Sequence, residues 1–133
     1  LELGRFPGQV HTVFGNNDAD RFLSQQIARE RAPGVTHHGE IAVLELGPIK
    51  LAATHYLEHS RGLAATAGCQ VAAHGHTHVF DETRTDDLLL VNPGELLGFK
   101  GRPSYCIFDT ASGELEHVAF TTRPWPEAGG WSW

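Results

Sequence analysis

Residues 69–78 read Cys-Gln-Val-Ala-Ala-His-Gly-His-Thr-His. The first half is a brief apolar run of the kind a buried strand uses, and it stops where His74, His76 and His78 alternate. In an extended segment alternate side chains project to the same side, so these imidazoles can converge on one point. Neutral imidazole is the commonest protein metal ligand. Two interpretations stand at this stage, a metal-binding strand end and a solvated histidine-rich loop.

On the N-terminal side, residues 9–14 are β-branched and aromatic and stop at Gly15-Asn16-Asn17-Asp18, a strand ending in a turn. Asp18 is a candidate N-cap for a helix over 19–32, with Phe22, Leu23 and Ile27 at helical spacing and Pro33-Gly34 as its stop. Residues 40–46 and 49–54 read as a hairpin joined by Gly47-Pro48, and an Ala-rich helix is expected over 61–67. Beyond the histidines the signals are β, at about 79–84, 87–91, 104–109 and 114–121, before an irregular tail. Strands interleaved with two helices predict a layered α/β domain rather than an all-β one.

Composition narrows the function. Hydrophobic residues at 41% and charged residues at 20% describe one globular domain over residues 1–133, not a disordered chain. Ten Lys and Arg against sixteen Asp and Glu give a net charge of −6, which offers no basic surface to a nucleic-acid backbone. No apolar run approaches the ~20 residues of a membrane span, and no signal peptide opens the chain. Cys69 and Cys106 are too few for a disulfide framework or a four-thiolate zinc site, so a reduced, cytoplasmic setting is expected. The chain has no methionine, and a start at Leu1 is expected to reflect processing or truncation.

Asn16 and His55 each follow a predicted strand, as the histidine cluster does, and α/β folds gather their ligands at such ends. Singly, Asn16 fits a turn residue and His55 fits either a packed core histidine or a ligand.

Taken in order, Gly15-Asn16-Asn17-Asp18, Ala53-Thr54-His55, Gly75-His76-Thr77-His78 and Asn92-Pro93-Gly94 resemble the calcineurin-like metallophosphoesterases. Within that superfamily they are most similar to the small single-domain bacterial and archaeal phosphodiesterases. There the motifs run Gly-Asn-Cys/His-Asp, Thr-His-Gly, Gly-His-Thr-His and Asn-Pro-Gly-Ser, and the later Arg102-Pro103-Ser104-Tyr105-Cys106-Ile107-Phe108-Asp109 also resembles the strand that follows. The resemblance implies a layered α/β/β/α sandwich and a metal-dependent phosphoesterase acting on small phosphodiesters. It also implies two divalent ions, with Mn fitting best and Zn, Fe or Ni as alternatives. Asn16, His55 and His76 would ligate one ion and His78 the other. A hydroxide bridging the ions would attack phosphorus in line. Asn17 and His74 are candidates to support these ligands from behind, although for His74 the exposed reading is the favoured one.

The departures are specific. The family's Asp-x-His and Gly-Asp-x-x-Asp motifs have no counterpart before Gly15, so one ion keeps three side-chain ligands and the other keeps one. The fold is therefore expected to be N-terminally incomplete. Its exposed strand edges would be covered either by more of the same gene product or by a second chain in a homo-oligomer. Asn17 stands where a His would donate a proton, Tyr56 where Gly follows the His, and Glu95 where Ser ends the Asn-Pro-Gly motif. A catalytically incomplete metal-binding or interaction module is the alternative function. His37, His38, His59 and His117 are expected at the surface, as is the acidic stretch of Asp81, Glu82, Asp86 and Asp87. The three tryptophans, Trp125, Trp131 and Trp133, are expected to pack on the domain or on a partner.

Overall fold

The computed structural model describes residues 2–121, and the expected packing of Trp125, Trp131 and Trp133 lies outside the described residues. After a 3-10 turn at Glu2–Arg5, the chain forms β1 (Val10–Thr12), α1 (Arg21–Arg31), β2 (Val35–His37), β3 (Ile41–Leu46), β4 (Ile49–Thr54) and α2 (Leu57–Ala67). It continues with β5 (Val71–Ala73), β6 (Asp81–Arg84), β7 (Leu89–Asn92), β8 (Ser104–Phe108) and β9 (Leu115–Ala119). The result is a mixed α/β fold with a central sheet flanked by helices, and no described helix is long and apolar enough to cross a membrane.

The central sheet has the order β3-β4-β5-β7-β6. Its three inner strands, β4, β5 and β7, run parallel, and the two outer ones pair antiparallel. Parallel inner strands are covered on both faces, and their residues divide accordingly. Ala72 and Leu90 face α2, where Ala52, Ala64 and Cys69 complete a core of small side chains. Val71, Leu89 and Val91 face the other way, onto Cys106, Phe108 and Leu115 of the β8-β9 hairpin. Small residues at the helix face let α2 approach the sheet closely. Ser60 on α2 is fully buried and donates to the Ala73 carbonyl at 2.6 Å.

Both helices differ from expectation, for local reasons. The Asp18 carboxylate turns back to accept from the Gly15 N–H at 2.5 Å and closes a turn, so Asp20 caps α1 instead, accepting from Leu23 N–H at 2.8 Å. Phe22 and Leu23 lie on the exposed face of α1, while Ala28 and Ala32 are buried. The second helix begins at Leu57, not near 61. Thr54 supports the earlier start, donating to the Tyr56 carbonyl at 2.9 Å and hydrogen bonding the Ser60 hydroxyl at 3.0 Å. β2 was absent from the sequence pattern. It pairs parallel with β1 from Val10↔Val35 to Thr12↔His37, and among the described residues β1 has no other strand partner. Exposed Leu3 and Phe6 lie in the segment leading into β1.

Four chain segments leave strands at a common end. Gly15–Asp18 follows β1, His55 follows β4, His74–His78 follows β5, and Asn92–Glu95 spans the end of β7. Because β4, β5 and β7 are parallel neighbours, their C-terminal ends bring His55, His76 and the Asn92 turn to one edge of the sheet.

Candidate metal centre

The turn after β1 is held from several sides. Phe14 N–H donates to the Gly39 carbonyl at 2.7 Å, and the Gly15 carbonyl accepts from the Arg21 guanidinium at 3.0 Å. Arg21 is in turn paired with Glu40 at 2.6 Å. Gly15 itself is required by a close approach, since a Cβ there would stand 2.8 Å from His55 Cε1 and Nδ1. Asn17 accepts from the Asn16 amide at 3.2 Å, which leaves Asn16 Oδ1 turned toward the histidines.

Asn16 Oδ1, His55 Nε2 and His76 Nδ1 form a triangle with sides of 2.5, 3.1 and 3.3 Å. Donors placed about 2.0–2.2 Å from an ion stand roughly 3.0–3.5 Å from one another; the triangle's two sides that meet at His76 have that length, and the Asn16–His55 side at 2.5 Å is shorter, the length of a direct hydrogen bond. Hydrogen bonding alone serves it poorly: the oxygen only accepts, so each imidazole must point a proton at it and the two N–H groups then oppose one another. A cation that takes all three lone pairs removes that conflict. The donor set of two imidazole nitrogens and one amide oxygen, without thiolate, fits Mn, Zn, Fe or Ni. Among the described residues no three His, Cys, Asp or Glu side chains converge, so the asparagine is what makes the set tridentate.

The loop carrying His76 corrects the extended geometry expected of 74–78. His76 and His78 adopt positive φ, 69° and 67°, a left-handed conformation unusual for residues other than glycine. The loop's tertiary hydrogen bonds maintain it. Gly75 N–H donates to the His55 carbonyl at 3.1 Å. Asn92, fully buried, donates to the Gly75 carbonyl at 2.9 Å and to Thr77 Oγ1 at 2.8 Å, and accepts from Gly94 N–H at 3.0 Å. Gly94 sits at φ 86°, and a Cβ on it would fall 2.3 Å from Ser104 Oγ.

His78 therefore does not share a strand face with His76. Its Nδ1 lies 3.0 Å from a Glu95 carboxylate oxygen, and it is separate from the three-donor triangle. His74 is buried rather than exposed, and its Nε2 has no hydrogen-bond partner among the described residues. Tyr56 packs its ring against both imidazoles, at 4.9 Å from His55 and 4.7 Å from His76. His59 is exposed and lines a small cleft with Asn16, His55, Arg21 and Glu40. His37 and His38 are partly exposed at the end of β2 and apart from the triangle; His37 hydrogen bonds Thr12, and His38 hydrogen bonds His11 at 2.9 Å. His117 is exposed and stacks on Phe80 at 3.7 Å, and Asp81, Glu82, Asp86 and Asp87 are exposed.

Burial, followed by the neighbouring charge of His76, holds the His55 imidazole below its ordinary pKa, with Asp18 opposing. That favours the neutral, lone-pair form a metal needs. Three contributors were not legible as site residues in the sequence. Asn92 and Gly94 stood in the sequence only as part of the Asn92-Pro93-Gly94 motif, with no site role attached, and Glu95 only as a departure from it. An asparagine directly following the apolar run Leu88-Leu89-Leu90-Val91 was the available signal for the first.

A model of the calcineurin-like phosphoesterase superfamily domain matches residues 2–113. The chain is 30% identical over 122 residues to a phosphodiesterase of Methanocaldococcus jannaschii, a match covering 88% of this chain and 72% of that protein. The solved structure of an archaeal phosphodiesterase is similar with a TM-score of 0.78 at 25% identity, over 90% of this chain and 73% of the other. Vps29 of Entamoeba histolytica, solved in complex with zinc, is similar in fold with a TM-score of 0.52 at 17% identity, over 90% of this chain and 87% of its own.

Proposed function

The chain belongs to the calcineurin-like phosphoesterase superfamily, a metal-dependent family, and on that premise we propose that it hydrolyses small phosphodiesters at a site built on the Asn16, His55 and His76 triangle. The observation that carries the proposal is the triangle itself, three lone-pair atoms from three separate strand ends within 3.3 Å of one another. The 30% identity to a phosphodiesterase supports a diester substrate. In this site Asn16, His55 and His76 would hold one divalent ion and His78 a second, with Mn the best fit to the donor set. When bound, such ions would supply an activated water and would neutralise charge on the phosphoryl oxygens.

The chain's own residues shape the rest. Asn17 orients Asn16 through its amide and has no proton to give a departing alkoxide, so diesters with acidic leaving groups are the favoured substrates. Tyr56 forms an apolar wall against both imidazoles, which limits water at the ligands. The test is metal stoichiometry by elemental analysis after dialysis against Mn²⁺ and then metal-free buffer, followed by an assay on a chromogenic aryl phosphodiester. Two ions per chain and hydrolysis are expected. His55→Ala and His76→Ala should each abolish tight binding, while His117→Ala should leave it unchanged. One ion or none, with no hydrolysis, would instead favour a metal-binding or interaction module.

A further inference from the structure

Glu95 is a carboxylate held from two sides. One oxygen accepts from the Lys100 backbone N–H, and the Phe99 N–H adds to its binding. The other oxygen stands 3.0 Å from His78 Nδ1. Its own backbone is pinned as well, because Ser104 N–H donates to the Glu95 carbonyl at 2.8 Å. The Glu95 side chain is only 9% exposed and that of His78 31%, which separates this contact from a solvated surface pair. The motif that this segment resembles ends in Ser, so the acid is a feature of this chain.

A carboxylate can only accept, so a hydrogen bond to it puts the imidazole proton on Nδ1. The neutral ring then carries its lone pair on Nε2, the nitrogen facing away from Glu95. His78 is two residues beyond His76, on the same loop that leaves β5. A carboxylate behind a histidine, fixing tautomer and ring orientation, is the arrangement that tunes metal-bound imidazoles. We propose that Glu95 is a positioning residue that locks His78 as the Nδ1–H tautomer and presents its Nε2 to a divalent cation beside the Asn16, His55 and His76 centre. The assignment of a cation to His78 rests on the proposed function. The hold of Glu95 on the ring does not.

Two measurements on the 133-residue chain separate these. Long-range ¹H–¹⁵N NMR of the metal-free protein reads the His78 tautomer directly. It should be the Nδ1–H form in the parent, a mixture in Glu95→Ala, and intermediate in Glu95→Gln, whose carbonyl can accept from His78 only by turning its amide toward the Lys100 N–H. Mn²⁺ titration by calorimetry should show that the binding contributed by His78, defined by His78→Ala, weakens about 10–100-fold in Glu95→Ala and less in Glu95→Gln. If Glu95→Ala fails to fold, Glu95→Gln decides, since it is isosteric. An unchanged tautomer in the variants, or Mn²⁺ affinity equal to that of the parent, overturns the inference while leaving the three-donor centre intact. A parent protein that takes up no Mn²⁺ overturns the proposed function and the cation at His78 together.

Discussion

Replacing Gly15 with alanine tests whether the donor triangle is set by close packing. The new Cβ would lie 2.8 Å from His55 Cε1 and Nδ1 and 3.2 Å from Cγ. Carbon atoms in contact prefer about 3.5–4.0 Å, so the ring must retreat by about 0.7 Å. Ligand positions in a working metal site are fixed to within about 0.2 Å, and a shift of that size removes His55 Nε2 from the coordination face. Gly15 does not adopt positive φ, so alanine gains roughly 0.4–1 kcal/mol by restricting the unfolded chain. Overpacking costs about 1–3 kcal/mol. The two leave a net loss of roughly 0–2.6 kcal/mol. The assay is Mn²⁺ titration calorimetry alongside thermal unfolding of the metal-free protein. A folded variant with affinity reduced at least about tenfold, or 1.4 kcal/mol, is expected. A variant with unchanged melting temperature and unchanged Mn²⁺ affinity would refute the reasoning, since the imidazole would then not be where Gly15 places it.

Other perturbations address the supports. Asn92→Ala removes three hydrogen bonds made by a buried side chain, each with a net value of about 0.5–1.5 kcal/mol, so urea unfolding should show a loss of about 1.5–4.5 kcal/mol together with weaker Mn²⁺ binding. Asp20→Ala should cost about 0.5–2 kcal/mol through the lost α1 cap and leave Mn²⁺ affinity unaltered, because Asp18 and not Asp20 closes the turn that carries Asn16. Burial and His76 depress the His55 pKa, and burial and His11 depress that of His38, from an ordinary 6.5. The unfolded chain therefore binds protons first as pH falls. Their contribution to stability should be complete above about pH 6.5 and lost as pH drops through the depressed values. Melting curves of the metal-free protein between pH 7.5 and 5.5 should show this, with a shallower slope in His55→Ala.

Much of the fold was legible locally. Gly47-Pro48 between two apolar six-residue runs specifies the β3-β4 hairpin in the register found, Leu46↔Ile49, because a tight turn dictates which residues face each other. The strand ends bearing Asn16, His55 and the histidine run were also legible, since each apolar run stops at turn-forming residues. Less legible were elements whose signal is too short to be periodic. The three residues of β2 carry no pattern of their own and exist by pairing with β1, and the first turn of α2 depends on Thr54 and Ser60 meeting inside the core.

The side-chain chemistry divides along the same line. Which residue types stand in which order is a property of the chain, and that order alone pointed to Asn16, His55, His76 and His78. How they are presented is not. The left-handed backbone at His76 and His78 comes with Asn92 gripping the loop from 15 and 17 residues away, which no local propensity would favour. His74 is buried because its strand is covered on both faces, and His78 meets Glu95 only because the ends of β5 and β7 are neighbours. Local sequence sets conformations that differ by the small energies of turns and caps. Contacts between distant segments, each desolvating polar groups that must then find partners, decide which of those conformations the folded protein keeps.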